Sequence, residues 1–237
     1  MEARANIELK HAFVLRASEV RKVWSFLSDS IGTVKATVSC VDHLERVFSS
    51  VEELANYENS RPRAIRSVSF TARSQNSNAS AHLRLRGDSY SSISLDVEGP
   101  EPAVSQVRDR LSEVFDGMRP WYSAISRIDF FFVILGIIFF AFLVLRGMHV
   151  SDTPEKSLTL LQALWLALIF IGIFLAIGAL IFFLNWLRRR FFPVACFTIG
   201  QGEDRYNFDE KVRWAVLVGF VVSLFASLVA AFLLPKA

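Results

Sequence analysis

Apolar and polar residues alternate through the first half of this chain and then give way to long apolar runs, so the period of the pattern divides the sequence in two. Ile7, Leu9, His11, Phe13 and Leu15 stand at every second position, which predicts one strand with a single buried face. Ser18 is placed to cap a helix whose apolar stripe is Val20, Val23, Trp24 and Leu27. Val34, Ala36, Val38 and Cys40 predict the next strand, with residues 45–49 as its partner across an Asp42-His43 turn. Ser50 and Glu53 form a capping-box pattern ahead of a short helix over 51–57, which ends before Ser60-Arg61-Pro62. Three more alternating stretches, 65–72, 82–86 and 92–97, predict a meander connected through the polar run 74–80 and through Gly87-Asp88-Ser89. Pro102 opens a helix with the stripe Val104, Val107, Leu111, Val114 and Phe115, and Gly117 closes it. Residues 1–117 are thus expected to form an α+β domain, an antiparallel sheet covered by about three helices.

From there the period disappears. Apolar runs cover 130–145, 158–187 and 214–234. A bilayer core about 30 Å thick is crossed by roughly 20 apolar residues at a rise of about 1.5 Å each. The second and third runs meet that length, and the first does so with Ile125 and Ile128 added and with Arg127, Asp129 and Arg146 reaching the headgroups. The expected layout is the soluble domain, an interfacial joint over 118–127, and an all-α transmembrane domain over 128–237. Its three spans lie at about 128–147, 158–187 and 214–234, with a hairpin-like loop over 188–213. In that loop 194–199 is strand-like and Gly200-Gln201-Gly202 can take positive φ, which predicts a small hook against the soluble domain.

Charge orients this layout. Arg119 and Arg127 precede the first run, and Arg188, Arg189, Arg190, Arg205, Lys211 and Arg213 lie between the second and third, whereas Arg146, Lys156 and Lys236 fall on the other side. By the positive-inside bias the amino terminus is cytoplasmic and the carboxyl terminus lies outside a cell (inner) membrane. Met1–Lys10 is polar with no apolar run behind it, so no secretory signal is expected. Arg119, Trp121, Tyr122, Arg127, Arg188, Arg189 and Arg190 are the expected interface and topology residues, because cationic and amphipathic aromatic side chains settle at headgroup depth. The net charge of +3 arises mainly beside the helices, so no general nucleic-acid binding is indicated.

The candidate chemistry is sparse. Arg66, Arg73, Arg84 and Arg86 fall in a stretch without Asp or Glu, and a guanidinium group suits phosphate or carboxylate, so they are the candidate anionic-ligand residues. A solvated sheet face is the commoner use of such residues. Ala215, Gly219, Ser223, Ser227 and Ala231 recur at four-residue spacing, a small-residue ridge that favours helix association within a monomer or between copies. None of the three runs contains a charged residue, which argues against ion-coupled transport and proton pumping. The histidines and the two cysteines show no metal-ligand spacing, and no cofactor motif is present. Cys40 and Cys196 are expected to be reduced thiols. Gly200-Gln201-Gly202 lacks the rest of a phosphate loop.

The expected function is non-catalytic. A cytoplasmic domain binds a protein partner or anionic small molecule and is coupled to a self-associating membrane unit, as in a sensor, a channel-like protein or a defence effector. The alternatives are an enzyme at the headgroup surface, using Glu203, Asp204 and Arg205 with Arg188, Arg189 and Arg190, and a plain membrane scaffold.

Overall fold

The structure is a computed structural model that describes residues 1–75, 78–87, 92–147 and 160–233. The turn at Asp88-Ser89, most of the segment 146–157 and the carboxyl-terminal end of the third run lie outside the described residues. The chain forms two compact units, one made of Met1–Ser123 with Pro193–Ala237 and the other of Ala124–Phe192. The segment after the second apolar run therefore belongs with the amino-terminal fold.

In the first unit the strands β1 (Glu2–Leu9), β3 (Thr33–Cys40), β4 (Glu45–Phe48), β5 (Ile65–Arg73), β6 (Ser80–Arg86) and β7 (Ile93–Pro100) make one antiparallel sheet in the order β1-β7-β6-β5-β3-β4. The second strand, β2 (Phe13–Arg16), stands outside this sheet. Helices α1 (Ala17–Ser30) and α3 (Glu101–Gly117) contact each other and the sheet, and the short α2 (Val51–Ala55) contacts α1. The alternation in the sequence has a direct structural cause. Val34, Ala36, Val38, Val68, Phe70, Leu83, Leu85, Leu95 and Val97 are buried in one core with Val20, Val23 and Leu27 of α1 and Val107, Leu111 and Phe115 of α3. The intervening residues of β3, β5 and β6 form the opposite, polar face.

The expected first strand is two strands. β1 ends at Leu9, and β2 is buried at Phe13, Val14 and Leu15 in succession. Buried on both faces, it cannot show a true alternation, and it ran on from β1 in period by coincidence. Its partner is β8 (Ala195–Thr198), which pairs with it in parallel, Phe13 opposite Ala195 and Arg16 opposite Thr198. The expected hook is thus a strand laid on the amino-terminal fold, paired with β2 and with no hairpin of its own among the described residues. The expected loop over 188–213 is also much shorter, because α5 (Leu160–Phe191) runs through the arginines and α6 (Gln201–Leu233) begins soon after β8.

The second unit holds a 3-10 turn, Ile125–Arg127, then α4 (Phe130–Gly147) and α5. Ile125 and Ile128 do not extend the apolar helix: Ile128 has extended backbone and Asp129 stands just before the helix start, its Oδ1 accepting from the Phe131 amide at 3.0 Å. The same Oδ1 accepts from Asn185 Nδ2 at 3.4 Å, and Arg188 donates to the Ile128 carbonyl, so the end of α5 is tied to the start of α4.

Among the described residues one helical stretch, Ala167–Phe191, is by itself long and apolar enough to cross a membrane. Neither α4 nor the described part of α6 meets the same test by itself, so the expected three spans are not shown. α4 has only 18 residues, and the apolar part of α6 begins as late as Trp214 in a helix whose first half is polar.

Candidate functional site

The polar face of the sheet is built by register. Ser69 lies opposite Arg84, Ser67 opposite Arg86, Thr71 opposite His82 and Arg73 opposite Ser80. On the far side of β6, Arg84 lies opposite Ser94, His82 opposite Asp96 and Ser80 opposite Glu98. Cys40 pairs with Ile65 and Ser39 with Ser67, so Arg66 is the extra residue of a bulge and turns outward beside Ser67. The four predicted arginines therefore share one face without forming one cluster. Arg84, Arg86 and Arg66 stand toward one end of β5 and β6, and Arg73 stands at the other.

Carboxylates from β7 divide this face, a feature the arginine count by itself did not reveal. Glu98 pairs with Arg4 at 3.2 Å, and Asp96 accepts from Asn6 Nδ2 at 2.8 Å. Between the two regions sits His82, with Nδ1 3.3 Å from Thr71 Oγ1 and Nε2 3.3 Å from an Arg84 guanidinium nitrogen. Arginine is always a donor, so Nε2 accepts and the proton is on Nδ1. Burial, and then the charge of Arg84, push the His82 pKa below its ordinary value. A shallow cleft runs beside it, lined by Arg4, Thr71, Arg73, His82, Asp96 and Glu98.

A second constellation, invisible in the sequence, fastens α6 to this domain. Asn59, buried and at φ 49°, donates from Nδ2 to the carbonyls of Phe197 at 2.9 Å and Ile199 at 3.1 Å, and its Oδ1 accepts from the Ile65 amide at 3.0 Å. Its own carbonyl accepts from Arg205 at 2.8 Å, and the Gln201 amide donates to the Glu58 carbonyl at 2.9 Å. Gly200 has φ +51°, and a Cβ there would lie 2.5 Å from the Tyr57 and Glu58 carbonyl oxygens. The Gly200-Gln201-Gly202 run was the one available signal, since close backbone approach calls for glycine.

Next along α6, Arg213 is buried between two tyrosines, 4.5 Å from the Tyr122 ring centroid and 5.2 Å from that of Tyr206. Tyr122, expected at the headgroups, is fully buried instead, because its ring forms one wall of this guanidinium sandwich. Burial raises the pKa values of Tyr122 and Tyr206 and pushes the Cys196 thiol up to about 11. Trp121 stays half-exposed and lies 5.7 Å, centroid to centroid, from the equally exposed Trp214 at the start of the apolar part of α6.

The remaining predicted residues lie at helix ends and along α6. Arg119 is exposed after α3, and Arg189 and Arg190 are exposed in the last turn of α5. Ala215, Gly219, Ser223 and Ser227 are exposed along α6, which also contains Ala231. The Ser223 and Ser227 hydroxyls each donate at 2.8 Å to the carbonyl four residues earlier, so they are engaged within their own helix. Glu203 and Asp204 sit in the first turn of α6, where the helix dipole favours a carboxylate, and Arg205 holds Asn59. Among the described residues no group of three or more His, Cys, Asp or Glu is placed to hold a metal ion. No protein-family model, curated protein or solved structure matches the chain.

Proposed function

We propose that this chain is a non-catalytic membrane receptor: the α+β domain takes an anionic ligand or acidic partner on the open face of its sheet, and α6 passes the change to a self-associating membrane unit. The observation that carries this reading is the continuity of α6. Its first turns are locked to the domain through Asn59, Glu58 and Arg213, and the same helix continues into exposed apolar residues such as Val216, Val218, Phe220 and Phe225. A helix transmits a tilt or rotation along its length because its backbone hydrogen bonds leave no soft joint.

We read α4, α5 and the end of α6 as three spans. Phe131, Phe132, Phe139 and Phe140 on α4 and Phe170, Phe174 and Phe182 on α5 are exposed, which suits lipid. At about 1.5 Å per residue, 18 residues cover about 27 Å, close to a hydrocarbon core about 30 Å thick. By the positive-inside bias, the arginines at the end of α5 support a cytoplasmic amino terminus and a carboxyl terminus outside a cell membrane. The back-bonded Ser223 and Ser227 favour close helix contact over a pore lining.

Native mass spectrometry of the full chain released from mild detergent tests the reading. A defined oligomer carrying a retained anion, with the anion lost in the Arg84→Ala, Arg86→Ala double variant, is expected. A bare monomer overturns it. Loss of a cellular phenotype in Glu203→Ala at unchanged abundance and assembly is the result that favours the interfacial enzyme instead.

A further inference from the structure

The open face has a more specific chemistry than positive charge. Arg84 is flanked on both neighbouring strands by hydroxyls, Ser69 on β5 and Ser94 on β7, with Thr37 of β3 beyond Ser69. Arg86 lies opposite Ser67, with Ser39 beyond it. Strands in a sheet are about 4.8 Å apart, and same-face neighbours along one strand are about 6.8 Å apart, so two guanidinium groups and their hydroxyl neighbours fall within the reach of one small ligand. The outward positions of β3, β5 and β6 carry no Phe, Tyr or Trp and no carboxylate. A face of this kind offers hydrogen-bond donors without a stacking platform. A planar carboxylate is satisfied by a single guanidinium fork, whereas a tetrahedral phosphoryl group has oxygens left for donors on both flanks.

His82 supplies the second observation. Its Nε2 accepts from Arg84, so the imidazole is neutral and occupies the guanidinium that a ligand would need. The charged groups around it are Arg84 on its own strand, Arg73 on β5, Asp96 and Glu98 on β7, and Arg4 on β1; the helices of this domain cover the other face. Once Arg84 turns away, Nε2 is open to a proton, with Asp96 directly across the strand pair.

We propose that Arg84 and Arg86, with the hydroxyls of Ser67, Ser69 and Ser94, form a site for a soluble small molecule carrying a diphosphate, and that Arg84 exchanges His82 for the ligand on binding. This rests on the anionic-ligand reading above and names the ligand class. It carries a proton-linkage signature. Free His82 is held neutral by its donor, whereas in the complex the donor has left and a negative charge has arrived. Binding therefore raises the affinity of His82 for a proton, and ligand affinity increases as pH falls through the histidine range.

Isothermal titration of the full chain in mild detergent with inorganic pyrophosphate tests the site. Saturable binding is expected, weakened about tenfold or more, equivalent to about 1.4 kcal/mol, in the Arg84→Ala, Arg86→Ala variant. The Ser69→Ala, Ser94→Ala variant removes no charge and is expected to weaken it several-fold, while Arg66→Ala changes little. Equal weakening by Arg66→Ala and Arg84→Ala with no effect of the serine pair marks diffuse attraction and overturns the site. Sulfate, whose charge is constant near neutrality, serves as the probe of the exchange. It is expected to bind more tightly at about pH 6 than at about pH 8, with the difference gone in His82→Gln. A wild-type chain with no such difference overturns the exchange. Absence of pyrophosphate binding, while native spectra still show an anion lost in Arg84→Ala, overturns the diphosphate class and leaves the broader reading standing; absence of both overturns both.

Discussion

Asn59 joins segments far apart in the chain with one amide, donating to Phe197 and Ile199 and accepting from Ile65. Asn59→Ala leaves those buried backbone groups without a partner, and we expect a loss of about 2–4 kcal/mol in urea unfolding of the full chain, because each stranded buried group costs about 1–3 kcal/mol. Nothing in the sequence marks this asparagine, since partners 138 and 140 positions away leave no local pattern. Asp42 is a contrasting case, with its hydrogen-bond partners Leu44 and Arg46 within four residues of it. Hydrogen bonds from Arg46, at 3.1 and 2.6 Å, are the main cause that holds its carboxyl at about 2, below the ordinary 3.8. The folded-state value is the lower one, so the stabilisation is present above the ordinary carboxylate range and is lost as pH falls from about 4 to about 2. An acid titration followed by circular dichroism should show that component in the wild-type chain and lack it in Arg46→Ala.

The strands β3, β5, β6 and β7 were legible because each buries one face, and burial of one face forces a period of two. β2 was not, because a four-residue strand buried on both sides carries no period, and its partner β8 comes from beyond two apolar helices. α6 was legible only in its apolar half; its polar first half has no stripe that distinguishes helix from loop until the domain surface is there to receive Tyr206 and Arg213. Gly200→Val should release this clamp, since valine is strained at φ +51° and its Cβ meets two carbonyl oxygens. Faster hydrogen exchange in β8 and the first turns of α6 is the expected readout, with β5 and β6 unchanged. Val216→Pro breaks α6 just after the docked turns, which end at Arg213, at a cost of about 3 kcal/mol in an interior helix position. We expect pyrophosphate binding to persist in that variant while any ligand-dependent change in oligomer state disappears; persistence of the change would show that α6 is not the path.

The whole molecule consists of two compact units, with the chain leaving the first, forming α4 and α5, and returning to it as β8 and α6. A methyl group at Gly219 would meet nothing within 4 Å, so Gly219→Leu tests association between chains without disturbing the fold of one chain. Loss of the oligomer at an unchanged unfolding midpoint is expected, and an intact oligomer would remove the small-residue ridge from the proposed interface. Local pattern sufficed for the α+β character of the amino-terminal part, for the antiparallel pairing of its meander and for the apolar stretch Ala167–Phe191, because burial of one face, or an unbroken apolar surface along a whole helix, is a property of consecutive residues. It did not suffice for the parallel β2–β8 pair, the Asn59 clamp, the burial of Tyr122 under Arg213, or the carboxylates that β7 brings beside His82. Those depend on which distant segment arrives as a neighbour, and that choice is made by the shared core and by the hydrogen bonds left unsatisfied when it forms.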